Sequence, residues 1–378
     1  MKGLLMVPTD EPLCSLAPKS SWKPEKILDF SIPVNPLGPS QRVERKLKTH
    51  LPAAVRYPEP RDGNLIKALA QFHGVSEEEI LPGAGATALI HSIPRALSIR
   101  RALMVTPLSG EYERALEATD RAPKPQIDYF EAREEDGFEV DVNGLISSLT
   151  LGYDALYLSN PGFPTGILTS KEDLLRVLAQ TERHHTWFIL DETSLDFLEE
   201  QSLKEGVKSS SRLVILRSFS NFFALPGLRV GYLLGSREAV QKIRNIHPPR
   251  TVNALGQIAA SESLQDQAHI RRTKDWMPEE RERLAQGLRS IPGFVPYPGV
   301  ANFLLVQLLP FLGIDGGDLR EGLLSQEILI GDCRSYRSLG PDFVFIAVRT
   351  RRENNLLIKA LRRIVGNLPS SRNASHSG

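Results

Sequence analysis

Short runs of consecutive apolar residues alternate with amphipathic stretches through the first two thirds of the chain. Residues 155–159 (ALYLS), 187–190 (WFIL) and 213–216 (LVIL) are largely apolar, which is typical of strands buried on both faces of a sheet. Residues 64–73 instead carry apolar side chains at helical spacing. Strands and helices in this alternation predict an α/β fold with a mostly parallel sheet covered by helices. The remaining predicted elements of this part are a strand at 102–106 and helices at 88–97 and 171–182.

The last third of the chain has a different pattern. A helix rich in Glu and Arg is predicted at residues 277–288, and two apolar strands and a further helix follow it. This succession predicts a separate α+β unit, and the pair of prolines within residues 246–251 indicates where it begins. The strands are predicted at 303–306 and 343–348, and the last helix at 354–365.

Composition excludes several classes of protein. The 378 residues include 46 Lys and Arg against 45 Asp and Glu, so the net charge of +1 provides no overall field that attracts nucleic acid or an anionic membrane. The two cysteines, Cys14 and Cys333, are far apart, which argues against a disulfide scaffold and a cysteine zinc site and fits a cytoplasmic protein. No apolar run approaches the roughly 20 residues that span a bilayer. We expect no metal site, because the histidines lack partners at ligand spacing.

Polar or glycine-rich loops follow several of the predicted strands. Ligands of open α/β sheets bind beyond the carboxyl ends of the strands, so these loops are candidates for a site. Residues 83–87 (GAGAT) open a helix and are either an anion site or a tight turn. Residues 218–229 supply two hydroxyls and Arg229, which bind a phosphate or form a polar surface loop. Asp191 ends a buried strand and either caps a helix or pairs with a protonated ring nitrogen.

The order of these motifs resembles the fold-type-I pyridoxal-phosphate enzymes of the class I and II aminotransferase group, from residue 28 to residue 366. Within that group the sequence is most similar to the threonine-phosphate decarboxylases of cobalamin biosynthesis and to the histidinol-phosphate aminotransferases. The resemblance implies a large domain with a mostly parallel sheet and a smaller α+β domain. The segments that carry it are LDFSIPVNPLGP (28–39), RYPEP (56–60), ILPGAGAT (80–87), SNPGFPTG (159–166), LDE (190–192), LRSFSNFFALPGLRVGY (216–232), ANFLLV (301–306) and IAVRTRREN (346–354).

The resemblance also implies boundaries and functional residues. The expected parts are an N-terminal arm that joins the small domain (1–45), the large domain (46–248), the small domain (249–366) and a disordered tail (367–378). Asp191 matches the residue that pairs with the cofactor ring nitrogen, and Asn302 matches a substrate-binding residue. Tyr57 matches the tyrosine that reaches the phosphate of the neighbouring subunit. The implied cofactor-binding residues are Gly85, Ala86, Thr87, Ser218, Ser220, Arg229 and Tyr57.

The reacting centre of the family is not retained in this sequence. The lysine that binds the cofactor covalently is replaced by Asn221, whose amide is neither nucleophilic nor basic, and no Lys lies between Lys208 and Lys242. The other departures are at residues that contact the cofactor ring or the substrate in the family. They are Ser109 for the stacking aromatic residue, Phe163 for an asparagine, Ser194 for a tyrosine, and Gly331 and Phe345 for two substrate arginines.

These departures leave two functional hypotheses. In the first, the chain keeps the fold, forms no covalent bond to pyridoxal phosphate, and either binds a phosphorylated ligand non-covalently or acts as a partner subunit, in a homodimer or beside an intact paralogue. The alternative is an active pyridoxal-phosphate lyase or aminotransferase of the threonine-phosphate decarboxylase type with a compensating base. Phe163 and Phe345 either fill the vacated cleft or line a remodelled pocket for a flatter, more apolar ligand.

Overall fold

The structure is a computed structural model that describes residues 26–59, 62–120 and 122–368. Most of the larger sheet is parallel, and its strand order is β2-β8-β7-β6-β5-β3-β4. Only β8 runs against its neighbours, so the carboxyl ends of the other six strands meet at one edge. The strands are β2 (Ile80–Gly83), β3 (Arg101–Thr106), β4 (Gln126–Glu131), β5 (Ala155–Ser159), β6 (Trp187–Asp191), β7 (Leu213–Ser218) and β8 (Gly231–Gly235).

Two hydrophobic layers cover the two faces of this sheet. Because side chains alternate along a strand, Leu156 and Leu158 of β5 enter one layer, whereas Ala155 and Tyr157 enter the other. The first layer receives α2 (Gly63–His73), α5 (Val142–Ser148) and α6 (Lys171–Arg183), and the second receives α3 (Gly85–Ala96), α4 (Gly110–Glu117) and α7 (Arg237–Ile246).

The smaller sheet has five strands in the order β1-β11-β12-β10-β9. Its strand β1 comes from the start of the described chain and pairs in parallel with β11, so the two ends of the chain meet in this sheet. The strands are β1 (Leu28–Phe30), β9 (Phe294–Pro296), β10 (Phe303–Leu308), β11 (Ile328–Asp332) and β12 (Phe343–Ala347). The remaining helices are α1 (Gln41–His50), α8 (Ala254–Gln265), α9 (Gln267–Arg289), α10 (Gly316–Leu324) and α11 (Arg351–Gly366).

The predicted α/β architecture is confirmed, and the structure adds elements that were not predicted. The helix predicted at 277–288 begins ten residues earlier, because α9 is continuous from Gln267. The reversed strand β8 follows the loop at 218–229 and was not predicted. Most of the predicted tail, residues 369–378, and residues 1–25 of the predicted arm lie outside the described residues. None of the helices in the described part is both long enough and apolar enough to cross a membrane.

Candidate ligand-binding site

The candidate site lies where β2 and β7 end on either side of the reversed strand β8. In the ladder, Gly83 at the end of β2 and Ser218 at the end of β7 are both register partners of Gly231. The loops that follow these two strands are therefore neighbours in space, although about 130 residues separate them in sequence. A Cβ on Gly231 would overlap the backbone of Gly85 and Ala86, so glycine is required for this close approach.

The first of these loops opens helix α3. Gly85 has φ +78°, a conformation that favours glycine, and the helix that starts there runs for 12 residues. Its N-cap residue, Ala84, has no side chain that caps the helix, and Ala86 and Thr87 belong to the first turn. The backbone N–H groups of this turn have no intrahelical acceptor and carry the positive end of the helix dipole. This turn is suited to an anion.

Arg229 lies over the same turn. A Cβ built on Gly85 would be 2.5 Å from Nη2 of Arg229, so the guanidinium occupies the space beside that glycine. The side chain of Arg229 forms no ion pair or hydrogen bond within the described residues. Ser218 is buried, and its Oγ accepts a hydrogen bond of 3.1 Å from the backbone N–H of Ser220. We call this group, Gly85, Ser218, Ser220 and Arg229, the anion cup.

Asp191 lies two strands from the reversed strand, at the end of β6. It is 8% exposed, and Oδ1 accepts a hydrogen bond of 2.9 Å from the N–H of Thr193. Behind it lie the buried tyrosines Tyr112 and Tyr157, whose ring centroids are 5.6 Å apart. Burial and the neighbouring Asp191 carboxylate raise the pKa of Tyr112, so its hydroxyl stays protonated. A carboxylate in this position can accept a hydrogen bond from a ligand N–H group.

Asn221 follows Ser220 directly in the loop after β7. Its backbone carbonyl accepts a hydrogen bond of 2.9 Å from the N–H of Asn35, and Nδ2 of Asn35 donates to the carbonyl of Phe222 at 2.9 Å. The segment after β1 therefore fixes the conformation of this loop. The side chain at position 221 is partly exposed and carries an amide where an amine would be needed for covalent chemistry.

An aromatic cluster joins the loop after β5 to the small sheet. Phe163, from the loop after β5, contacts Phe345, Phe303 and Tyr336 with ring centroids 5.5, 5.2 and 5.9 Å apart. The rings of Phe163 and Phe345 are in direct contact, an arrangement that suits both a filled cleft and a remodelled apolar pocket. Gly331 completes this arrangement, because a Cβ at that position would overlap the ring of Phe345.

Three other predicted residues lie in surroundings that differ from one another. Asn302 is fully buried; its Nδ2 donates to the carbonyl of Pro33, and its Oδ1 has no hydrogen-bond partner within the described residues. Ser109 caps helix α4 and borders a cavity of about 330 Å³, which Tyr336 also lines. Tyr57 is 90% exposed and lies outside the anion cup of its own chain, with the Arg250 guanidinium carbon 5.8 Å from its ring.

Comparisons with known proteins show the family of the chain. The model of the family described as aminotransferase class I and II matches residues 25–361. The chain belongs to this family. Pyridoxal phosphate is the family's cofactor, and the fold-type-I aminotransferase fold predicted from the motifs is confirmed. The match spans both sheets and every residue of the candidate site.

Two relatives show to which members of the family the chain is similar. A threonine-phosphate decarboxylase from Salmonella typhimurium is 36% identical over 344 residues, which cover 90% of this chain and 92% of that protein. The crystal structure of L-threonine-O-3-phosphate decarboxylase from Porphyromonas gingivalis has a TM-score of 0.79 and 28% identity, covering 90% of this chain and 99% of that one. The chain is therefore a threonine-phosphate decarboxylase-like member of the family.

A more distant relative shares the fold alone. It is the histidinol-phosphate aminotransferase from Sinorhizobium meliloti, solved in complex with pyridoxal 5'-phosphate. The TM-score is 0.76 at 20% identity, with 90% of each chain covered.

A buried charge cluster below the anion cup was missed by the sequence analysis. Arg217 is fully buried beside Ser218 and forms ion pairs with three acids that follow β6, at N–O distances of 2.8 to 3.1 Å. The only hint in the sequence is that these acids come directly after an apolar strand. They are Glu192, Asp196 and Glu199, and Lys204 and His73 also contact Glu199.

The pKa values within this cluster separate its members. Burial raises the pKa of Asp196 to about 7 against the opposing effect of Arg217, and Glu199 contributes to the rise. Burial alone would raise the pKa of Glu199 too, but Arg217, His73 and Lys204 hold it well below its usual range. Burial would lower the pKa of Arg217, and its three acidic partners raise it instead. The cluster thus contains a firmly ionised pair and an acid that titrates near neutral pH.

Proposed function

We propose that this chain binds a phosphorylated small molecule non-covalently in the anion cup, on an aminotransferase scaffold that lacks a covalent attachment point. One observation carries the proposal. The loop after β7 supplies a buried hydroxyl, Ser218, and an unpaired guanidinium, Arg229, but carries an amide at Asn221. Charge-assisted hydrogen bonds hold a phosphate strongly, whereas an amide cannot bond to an aldehyde carbon.

The residues present fit part of pyridoxal phosphate. The phosphate suits the anion cup because the guanidinium of Arg229 lies against Gly85 without a counter-ion among the described residues. The ring nitrogen suits Asp191, a nearly buried carboxylate with one backbone donor, Thr193 N–H, on Oδ1. When it is bound covalently in this family, the cofactor supplies an electron sink. The aldehyde of the cofactor does not fit this chain, because the loop after β7 has no lysine to bond to it. The residues of the anion cup therefore bind and orient a ligand, and no step passes through the cofactor.

The side chains that surround the ring position support the same proposal. Phe163 and Phe345 are in contact where the family resemblance expects an asparagine and an arginine. Ser109 caps a helix, where the resemblance expects a ring that stacks on the cofactor. Each change removes a polar or aromatic contact to a reacting centre, and none of them affects the anion cup.

Borohydride reduction with pyridoxal phosphate tests the proposal. The wild-type chain is expected to bind the compound reversibly and to release it on dialysis, with no lysine modified stoichiometrically after borohydride reduction of an equimolar mixture and peptide mapping. Asn221→Lys is expected to gain a stoichiometric adduct at that position. Asn221→Gln, which changes side-chain length without adding an amine, serves as the matched control and should behave as the wild type. A stoichiometric adduct on one lysine of the wild-type chain, above the scattered labelling of surface lysines, would contradict the proposal.

A second candidate function is an active lyase of the threonine-phosphate decarboxylase type. It is favoured by the 36% identity to the Salmonella typhimurium protein over nine tenths of the chain. It requires a compensating base, and Lys274 is an amine whose charge acts on Asp196 in the cluster below the cup. Release of CO2 from threonine phosphate by the wild type, and its loss in Lys274→Ala, would establish this function and overturn the first. A Lys-containing relative provides the positive control.

Tyr57 supports the further proposal that the chain works as a dimer. Its 90% exposure is accompanied by that of Val55 (87%) and Leu51 (61%), so three apolar or aromatic side chains extend from one segment. We propose that this segment packs on a second copy or on an intact paralogue, where Tyr57 reaches the partner's phosphate. Light scattering should show a dimer that Val55→Asp weakens. Co-purification of a paralogue from native extract distinguishes the heterodimer from the homodimer.

A further inference from the structure

Two positions of the small sheet that the family resemblance assigns to substrate contacts, 331 and 345, interlock with each other. Gly331 of β11 and Phe345 of β12 are register partners in the antiparallel ladder. The ring of Phe345 folds across Gly331 so closely that a Cβ there would overlap it. The ring of Phe345 therefore covers both positions. No side chain larger than glycine fits at position 331 while the ring of Phe345 stays where it is.

Phe163 extends this apolar surface to the large sheet. Its ring meets Phe345, Phe303 and Tyr336 edge to face, the arrangement that aromatic pairs prefer. Phe303 and Phe345 are buried, and Phe163 is partly exposed. We call this aromatic cluster the aromatic wall. It consists of the rings of Phe163, Phe303, Phe345 and Tyr336.

The cations near this wall already have partners. Four of the arginines in the small-sheet elements and adjoining loops are each engaged by an acid or by backbone carbonyls. The pairs are Arg281 with the carbonyls of Val300 and Ala301, Arg334 with Asp332, Arg337 with Glu113 and the ring of Tyr129, and Arg349 with Glu353.

The positive charge of the site is thus concentrated at one end. Arg229 is available at the anion cup, whereas the rings of the aromatic wall carry no charge and the four arginines named above already have partners. A carboxylate held against this wall would lose its water without gaining a counter-ion, which is unfavourable. An apolar or aromatic group would instead bury its surface against the phenyl rings.

We propose that Phe345 and Gly331 determine specificity, so that the site accepts phosphate esters whose far end is uncharged and apolar and rejects those that end in a carboxylate. This inference rests on the proposed non-covalent binding and adds the chemical class of the ligand. Amino-acid phosphates, which carry a carboxylate, belong to the rejected class.

Two reduced pyridoxyl phosphates test the inference because neither needs a lysine. The N-phosphopyridoxyl conjugate of ethylamine and that of L-alanine differ only by a carboxylate. Isothermal titration of the full chain with each conjugate gives two dissociation constants. We expect the alanine conjugate to bind about tenfold or more weakly, since an unpaired desolvated charge is costly. Equal or tighter binding of the alanine conjugate would overturn the inference while the proposed function stands. Binding of neither conjugate would overturn both.

Two variants at the same position sharpen the test. Phe345→Arg restores a cation beside Gly331 and is expected to bring the preference to parity or to reverse it. Phe345→Leu keeps an apolar side chain and is expected to retain the preference of the wild type. An unchanged preference in a folded Phe345→Arg variant would contradict the role given to this residue. If that variant does not fold, the wild type and Phe345→Leu still decide the question through the ratio of the two constants.

Discussion

Arg217, the second-to-last residue of strand β7, and Arg229, two residues before β8, lie 12 positions apart in sequence, and their surroundings are opposite. Arg217 is fully buried and paired with three acids. Arg229 is exposed, lies against Gly85, and has no charged partner among the described residues. The same residue type is therefore found in two environments, one inside the fold and one where we propose that it meets a ligand.

The difference shows how the chain separates stability from binding. An arginine whose donors are satisfied internally holds the loop in place, and its removal leaves acids buried without a counter-ion. An arginine without internal partners contributes little to folding and keeps its donors for an anion. Under the proposed function, the loop keeps its shape with Asn221 in place of a lysine, because the cluster around Arg217 does not involve that position.

Replacement of Arg217 is expected to have the largest effect. Arg217→Met leaves Glu192, Asp196 and Glu199 buried around an apolar side chain, so the free energy of unfolding should fall by about 3–5 kcal/mol. Urea unfolding followed by circular dichroism measures the change. Arg229→Ala is the matched control and should stay within about 0.5 kcal/mol of the wild type. A loss below about 1 kcal/mol in Arg217→Met would mean that the two arginines are equivalent.

Replacement of Arg229 should produce the opposite pattern. Arg229→Ala removes charge-assisted hydrogen bonds to a phosphate, which are worth roughly 1.5–3 kcal/mol, so the dissociation constant for pyridoxine 5'-phosphate should rise about 10- to 100-fold. Titration calorimetry measures it directly. Arg212→Ala removes a guanidinium that stacks on Trp187 at the opposite end of β7 and should bind as the wild type does. Unchanged affinity in Arg229→Ala would remove that residue from the anion cup.

The fold was predictable wherever a segment carries its own signal. Strand β5 was predicted with its observed bounds because residues 155–159 are apolar and end in a turn. The first ten residues of α9 were not, since Ile270 and Thr273 are the only buried positions among them and polar residues separate the two. Thr273 is fully buried, and Nδ2 of Asn35, more than 200 positions away in sequence, donates to its hydroxyl at 3.3 Å. Such a contact arises from tertiary packing and leaves no local pattern.

The site shows the same division between local and distant signals. Ser218, Ser220 and Arg229 were identified because they share one short segment with glycine and proline at family spacing. The role of Arg217 was missed because its acidic partners follow a different strand and meet it only through the pairing of β6 with β7. The interlock of Gly331 with Phe345 likewise depends on the register of β11 and β12. Contacts that require strand order cannot be deduced from spacing alone.

Gly85 tests whether the anion cup depends on its backbone as well as on Arg229. Gly85→Ala places a Cβ 2.5 Å from Nη2 of Arg229 at a residue with φ +78°, which should cost about 1–2 kcal/mol of unfolding free energy and weaken phosphate binding by displacing the guanidinium. Urea unfolding and calorimetry give the two values. Gly110→Ala, where a Cβ meets nothing within 4 Å, is the matched control. Equal behaviour of the two variants would show that the turn tolerates a side chain.

Replacement of Asp196 is expected to have the smallest effect. It tests the buried cluster around Arg217 and not the anion cup. Its folded pKa of about 7 lies above the value near 3.8 of an ordinary aspartate, so the folded chain holds a proton that the unfolded chain has released. The stabilisation from this carboxyl is complete below pH 4 and is lost as the pH rises through 7. Asp196→Asn stays uncharged and keeps an oxygen for Arg217, so relative to the wild type it should gain about 1 kcal/mol between pH 6 and pH 7.

Urea unfolding of both proteins at half-unit pH steps isolates the effect, because other titrating groups, such as Asp62 with its pKa of about 6, are common to both chains. The same comparison for ligand binding should show no dependence on Asp196, since the anion cup contains Arg229 and not Arg217. A stability difference that is constant from pH 5 to pH 8 would place the titration elsewhere in the cluster. A matching pH dependence of ligand affinity would mean that the buried cluster and the anion cup are coupled, and the separation between the two arginines would then fail.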